Sequence, residues 1–137
     1  MDVDATATRR QAAEAWLREF AKAVRDRDYA GARGMCRDDV TGFGTVSARY
    51  QGVDELEQGQ WRPVWDRTEG FEFDFSSAAI WADEALVVAT SEWSSVGIDV
   101  DGSRRPRRGR ATIVLAGPDG ELRAVHTHFS MSPGYVA

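Results

Sequence analysis

Cysteine, histidine and long apolar runs are all scarce in this chain of 137 residues. Because Cys36 is the single cysteine, there is no intrachain disulfide framework, and a reducing cytoplasm is the expected location. No apolar run approaches the roughly 18 residues that a membrane-spanning helix needs. Residues 1–4 also lack the basic patch and apolar stretch of a signal peptide. We therefore expect a cytoplasmic protein with no membrane partner.

Basic residues are also fewer than acidic residues. Lys and Arg number 17 against 22 Asp and Glu, which gives a formal net charge of −5. A nucleic-acid-binding protein needs a basic face to neutralise phosphates, so nucleic acid is not an expected partner. Apolar residues nevertheless make up 42% of the chain, which is too many for an acidic disordered protein. No linker or repeat divides the sequence, and residues 1–137 are predicted to form one domain.

Helical periodicity dominates the first part of the sequence. The apolar positions of the first predicted helix recur at helical spacing: Ala13, Trp16, Leu17, Phe20 and Val24. Thr8 and Gln11 fit a capping box near its beginning. A shorter second helix is predicted over residues 29–35. A third helix, beginning after Gly52, should kink or restart at Pro63, which has no backbone N–H to donate.

From Phe71 onward the period changes from helical to two, which indicates half-buried strands. The predicted strands span residues 40–46, a segment from 71, and residues 85–96, 110–116 and 122–131. Residues 97–106 are interpreted as an exposed connection. Helices followed by a run of strands predict an α+β fold with an antiparallel sheet. Curled around the first and third helices, this sheet would form a cone open at one end.

This order of elements resembles the SnoaL-like branch of the nuclear transport factor 2-like (NTF2-like) superfamily, and in particular the association domain of calcium/calmodulin-dependent kinases. The residues that carry the match are Asp38, Asp39, Val40, Gly52, Gly109, Arg110, Ala111, Thr112, Asp119, Gly120 and residues 125–130. The resemblance implies a cone-shaped, cystatin-like domain with a pocket between sheet and helices, usually forming a homodimer through the sheet. The superfamily includes isomerases, dehydratases, cyclases and epoxide hydrolases alongside many binding domains, so fold alone does not select a function.

His126 and His128 lie on one face of a predicted strand, at a spacing that can chelate a metal ion. The glutamate with which a cupin metal motif continues is absent, so neither a metal nor another cofactor is expected. Strand alternation places the more apolar Val125, Thr127 and Phe129 toward the interior. Both histidines then lie on the outer face, which the family uses for dimerisation. A β-bulge in the strand would reverse this assignment.

A general base is difficult to find in the sequence. Isomerases of this superfamily place an aspartate on the first strand, but residues 40–44 contain no carboxylate. Glu92 is a candidate from the sheet, yet alternation places it opposite Ser91 and Trp93. Catalysis is therefore not assured. An acid–base isomerase, dehydratase or cyclase acting on a polyketide-like or steroid-like cyclic substrate stays open as the alternative function.

A basic cluster contains Arg104, Arg105, Arg107, Arg108 and Arg110. It fits either a site for a phosphate or acidic partner or a solvated hairpin tip, and we favour the solvated tip. Where the kinase association domain carries pocket arginines, this chain has Ile113 and Phe129. The resemblance therefore implies no anion-binding pocket here.

Aromatic residues, among them five tryptophans, come from every element predicted to border the cone. Aromatic walls with few polar groups suit a flat or apolar small molecule. We therefore expect a homodimer that binds a hydrophobic or aromatic ligand of unknown identity. The predicted ligand-binding residues are Trp16, Phe43, Trp61, Trp65, Ser91, Trp93, Ile113, Thr127 and Phe129. The alternative is that these side chains simply fill the core.

Overall fold

The computed structural model describes residues 1–135. Helix α1 runs over Val3–Asp26, and the carboxylate of Asp2 caps it by accepting the backbone N–H of Ala5 at 2.7 Å. The predicted capping box of Thr8 and Gln11 is wrong, because both residues lie inside this helix. An aspartate at the N-cap both satisfies a free N–H and interacts favourably with the helix dipole, so the helix begins earlier.

Three short helices follow in the chain. Their bounds are Tyr29–Gly34 for α2, Val53–Leu56 for α3 and Arg62–Trp65 for α4. Between α3 and α4 the chain widens into a π-helical turn, Glu57–Trp61, in which the N–H of Arg62 reaches the carbonyl of Glu57. Pro63 follows directly in the first turn of α4, where its missing N–H is tolerated. The predicted kink or restart at Pro63 corresponds to the change from π-helical to α-helical geometry, which occurs one residue earlier, at Arg62, without a break in the helical backbone.

The strands form one curved, unclosed sheet on which the helices pack, so the predicted α+β fold is confirmed. The strands are β1 (Cys36–Phe43), β2 (Tyr50–Gln51), β3 (Thr68–Ala82), β4 (Leu86–Ile98), β5 (Arg104–Ala116) and β6 (Arg123–Met131). Across residues 1–135 their spatial order is β2-β1-β6-β5-β4-β3. Adjacent strands are antiparallel, as predicted, except that β1 pairs with β6 in parallel.

The hairpin between β4 and β5 is longer than the sequence predicts. The segment interpreted as an exposed connection is mostly strand, because the ladder continues until Ile98 pairs with Arg104. Only residues 99–103 form the turn. The arginine cluster therefore lies on β5 and not on a solvated tip, which corrects the favoured interpretation. The sequence did not predict the beginning of β5, because residues 104–108 are four arginines and one proline. Their strand conformation comes from pairing with β4 and not from local propensity.

The core lies between the inner face of the sheet, which packs against the helices, and the apolar face of α1. The predicted stripe of α1 is confirmed, since Ala13, Trp16, Leu17, Phe20 and Val24 are all buried. On β6 a register shift makes Val125 the extra residue of a bulge, so Ala124 is buried opposite Leu115. Beyond the bulge, Thr127 pairs with Ile113. Among residues 1–135, no helix has the length and apolar character that crossing a membrane requires.

Candidate functional site

A narrow cavity of about 40 Å³ lies between the inner face of the sheet, α1 and the segment from α3 to α4. Six of the predicted ligand-binding residues border it: Phe43, Trp61, Trp65, Trp93, Thr127 and Phe129. They come from β1, the π-helical turn, α4, β4 and β6. The fold thus brings together aromatic residues that are distant in sequence, although Phe43 is 42% exposed and its ring packs against His126 and His128 instead of the other aromatic rings.

Aromatic side chains fill most of the cone by packing on one another. The rings of Trp61 and Trp65 stack with centroids 4.8 Å apart, and Phe20 meets Trp65 edge-on at 5.9 Å. On the opposite wall, Phe129 lies 6.3 Å from Trp93. The remaining volume holds on the order of three water molecules at most. Both sequence interpretations therefore apply in part: the aromatic residues fill the core and also line what is left of the cavity.

The other three predicted residues are packed elsewhere in the core. Trp16 stacks on Phe20 at 5.0 Å, and its indole N–H donates to the backbone carbonyl of Met35 at 3.1 Å. The hydroxyl of Ser91 donates to backbone carbonyls, the nearer at 2.8 Å, and Ile113 is 1% exposed. Phe20 borders the cavity where Trp16 was expected to do so.

The phenol of Tyr50 is a polar group in the cavity wall. Its hydroxyl donates to the backbone carbonyl of Thr127 at 2.7 Å and also contacts the Thr127 hydroxyl. Burial raises the pKa of Tyr50 above its usual value, since the charged phenolate would be desolvated. The phenol therefore stays protonated and joins β2 to β6.

Gln60, in the π-helical turn, is a second polar group in the wall. Its Oε1 accepts the backbone N–H groups of Val46 and Ser47 at 3.0 and 2.9 Å, and its Nε2 donates to Thr45 Oγ1 at 2.8 Å. One buried amide thus fixes the loop between β1 and β2 over the cavity.

The groups considered for acid–base or metal chemistry do not line the cavity. Glu92 is exposed to solvent, and His126 and His128 lie on the other side of β6 from Thr127. The ring of Phe43 is edge-on to both imidazoles, with centroids 5.9 and 5.2 Å away. In the described part of the chain, residues 1–135, no group of three or more His, Cys, Asp or Glu side chains is placed to hold a metal ion.

Outside the cavity lies a wider cleft of about 390 Å³. Cavity and cleft share Thr45, Val64, Thr68 and Arg107, so the two are adjacent. The cleft also contains Arg67, Asp99, Arg105 and Tyr135. The sequence interpretation did not single out Arg67, and it assigned Arg105 and Arg107 to a solvated hairpin tip instead of this cleft. Continuing the alternation of β5 backward from Ile113 would have placed residues 107 and 105 on the inner face.

Comparison with known families gives a match over most of the chain. A family model described as a SnoaL-like domain matches residues 13–133. No protein of curated function shows a significant match.

Solved structures share the fold at low sequence identity. A proposed dehydratase of the NTF2-like family from Streptomyces avermitilis has a TM-score of 0.78 and 13% identity, covering 94% of this chain and 99% of that one. An NTF2-like superfamily protein from Salmonella enterica has a TM-score of 0.75 and 15% identity, covering 96% and 98%. The association domain of CaMKII from C. elegans has a TM-score of 0.72 and 14% identity, covering 93% and 98%. Such identities show similarity of fold alone.

Proposed function

The chain belongs to the SnoaL-like domain family, as its sequence predicts, and we propose that it binds a small hydrophobic or aromatic molecule. The observation that carries this proposal is the aromatic-lined cavity that adjoins a wider cleft. Ligand sites are concave and mostly apolar, with a few polar groups that fix orientation, and this lining has that composition.

The two volumes define how a ligand would fit. The cavity of about 40 Å³ accepts only a small apolar end, whereas the cleft of about 390 Å³ is within the range of ligand sites. The apolar end would contact Trp61, Trp65 and Phe129, and the remainder of the molecule would lie beside Val64 and Thr68.

Binding is favoured over acid–base chemistry because of the titratable groups in the cavity wall. An acid–base enzyme needs a group that exchanges a proton within hydrogen-bond reach of the substrate. The described wall supplies the phenol of Tyr50 and the guanidinium of Arg107. Both hold their protons at neutral pH, so neither serves as a base.

We also propose that the protein forms a homodimer through the outer face of the sheet, the face turned away from the helices. Three adjacent strands present a neutral patch there, in which His126 pairs with Val114 and Val114 with Val88. Beside them, His128 pairs with Thr112. A partly apolar patch of this kind suits an isologous interface, and the charged pair Glu92 and Arg110 borders it on the same face. The structural neighbour described as an association domain supports the same use of the fold.

The binding proposal is tested with 3-phenylpropanol, a neutral molecule with one aromatic ring. Titration followed by tryptophan fluorescence and by calorimetry should show saturable binding, because Trp61, Trp65 and Trp93 border the site. Val64→Phe adds bulk where cavity and cleft adjoin, so it should weaken binding at least tenfold.

Val100→Phe is the matched control, since Val100 is 88% exposed in the hairpin turn. It should bind as the unmodified protein does. Absence of saturable binding to the unmodified protein, or equal weakening in both variants, would contradict the proposal.

A further inference from the structure

Two arginines occupy the inner face of β5, where the rest of that face is apolar. Ala111, Ile113 and Leu115 are buried on it, and the same alternation places Arg107 and Arg105 at the open end of the cone. The side chain of Arg105 is 43% exposed and pairs with Asp99, whereas Arg107 is half-buried. Arginine is almost never buried without a partner, so Arg107 in particular is expected to have a group that neutralises it.

The partners of Arg107 within residues 1–135 are neutral groups, among them the phenol of Tyr135. Its Nη1 lies 3.5 Å from Ser95 Oγ, its Nη2 lies 3.6 Å from Met131 Sδ, and its guanidinium is 5.5 Å from the ring centroid of Trp93. Within residues 1–135 it forms no ion pair with a carboxylate. Burial lowers the pKa of Arg107, with neighbouring Tyr135 opposing that shift, yet a guanidinium stays charged at neutral pH.

Arg105 and Trp93 add unused donors beside Arg107. Arg105 pairs with Asp99 at 3.3 Å, but its Nε is buried with no acceptor among the described residues. The indole N–H of Trp93 is likewise buried without an acceptor in residues 1–135. Buried donors normally have partners, so an acceptor from beyond the described residues, such as a bound anion, would satisfy these two.

The charge of the cleft has the opposite sign to that of the whole chain. Three arginines, Arg67, Arg105 and Arg107, face one carboxylate, Asp99, in a protein whose formal net charge is −5. A concave site lined with one sign of charge attracts ions of the other sign, so the cleft favours an anion.

We propose that the ligand is a small apolar carboxylate. Its carboxylate binds to the guanidinium groups of Arg107 and Arg105, and its apolar end extends into the aromatic cavity. Arg107 borders both cavity and cleft, so the charged group sits where the apolar wall begins. Arginine matches a carboxylate in planar, two-point hydrogen bonding. This inference rests on the proposed function, because it names the class of molecule that the same site takes.

The test compares 3-phenylpropanoate with 3-phenylpropanol, which share the ring and chain length and differ in charge. The unmodified protein should bind the carboxylate at least tenfold more tightly at low salt, and added NaCl should narrow that difference because it screens the partly exposed charges. Inorganic phosphate at the same concentration should displace the carboxylate only weakly, since it has no apolar end. Complete displacement by phosphate would overturn the requirement for the apolar part.

Three variants distinguish the effect of the positive charge at residue 107 from a general effect of substitution on the fold. Arg107→Gln should abolish the preference for the carboxylate, whereas Arg107→Lys should keep part of it because the positive charge remains. Arg108→Gln is the matched control, since Arg108 is the exposed neighbour on the other face of β5. It should keep the full preference. A preference unchanged in Arg107→Gln would overturn the inference, and thermal unfolding checks that each variant is folded.

The outcomes distinguish the two proposals. Equal affinity of the unmodified protein for both probes would overturn the carboxylate inference and leave the binding proposal standing. Absence of binding to either probe would overturn the binding proposal itself. Selective binding of the carboxylate that is lost in Arg107→Gln supports both.

Discussion

His126 lies in surroundings that disfavour its protonated form. Burial lowers the pKa of this imidazole, and the neighbouring His128 lowers it further. Its Nδ1 is 3.3 Å from the hydroxyl of Thr41, and the Phe43 ring lies edge-on to it. None of these contacts is a carboxylate that would stabilise a positive charge.

The pH dependence of stability follows from this lowered pKa. In the unfolded chain the imidazole titrates near its ordinary value of about 6.5, so below that pH the unfolded state binds the proton more readily than the folded state. The free energy of unfolding should therefore decrease as the pH falls from 7.5 to 5.5. His126→Gln should lose less stability over that window, as measured by urea unfolding at both pH values. Identical losses in the two proteins would contradict the assignment.

For Trp93, the sequence predicts the direction of the side chain but not its hydrogen-bond partners. Its place on an alternating strand predicts an inward side chain, and it is buried on the cavity wall. That its indole N–H has no acceptor within residues 1–135 depends on which atoms surround the ring, and sequence alternation does not specify those atoms. Alternation therefore predicts the direction of a side chain but not its partners.

At the scale of elements, the π-helical turn positions the loop between β1 and β2. The turn sets Gln60 so that its amide satisfies two backbone N–H groups and one hydroxyl of residues 45–47. Short π-helical turns frequently occur at functional sites, and this one borders the cavity.

Gln60→Ala should loosen that loop. The N–H groups of Val46 and Ser47 lose their acceptor, so the free energy of unfolding should decrease by about 1–3 kcal/mol. Amide hydrogen exchange at these two residues should accelerate. Gln58→Ala is the control, since Gln58 is exposed in the same turn. Equal exchange rates in both variants would show that the amide does not hold the loop.

Helices and strands were predictable where the hydrophobic pattern of their own residues identifies them. The apolar stripe of α1 and the alternation of Phe71 and Phe73 identify their elements without tertiary information. The beginning of β5 was not predictable in this way, because residues 104–106 pair with β4 across a turn. The bulge at Val125 is also a product of pairing between strands. The walls of the cavity were therefore largely expected, whereas the basic cleft at its mouth was not.

At the scale of the whole molecule, the proposed homodimer depends on the neutral patch of the outer sheet face. Val114 lies near the centre of that patch, between Val88 and His126 in the strand ladders. In an isologous dimer such a central residue meets the same surface of its partner.

Val114→Arg should therefore convert the dimer to a monomer. A guanidinium buried at the interface without a partner costs several kcal/mol, which exceeds what a modest interface tolerates. Light scattering after size exclusion at micromolar concentration measures the change in mass. Val100→Arg, in the exposed hairpin turn, should stay dimeric. A monomeric mass for the unmodified protein would contradict the proposal.

The parallel pairing of β1 with β6 has a consequence for the order of folding. It joins a strand that leaves the ribosome early to one that leaves it late, and closing so long a loop costs entropy before any contact is gained. The hairpins β3–β4 and β4–β5 join consecutive strands, so we expect them to form first. During synthesis β1 and β2 cannot join the rest of the sheet until β6 has emerged. A nascent chain stalled before Arg123 would hold its hairpins beside an open core.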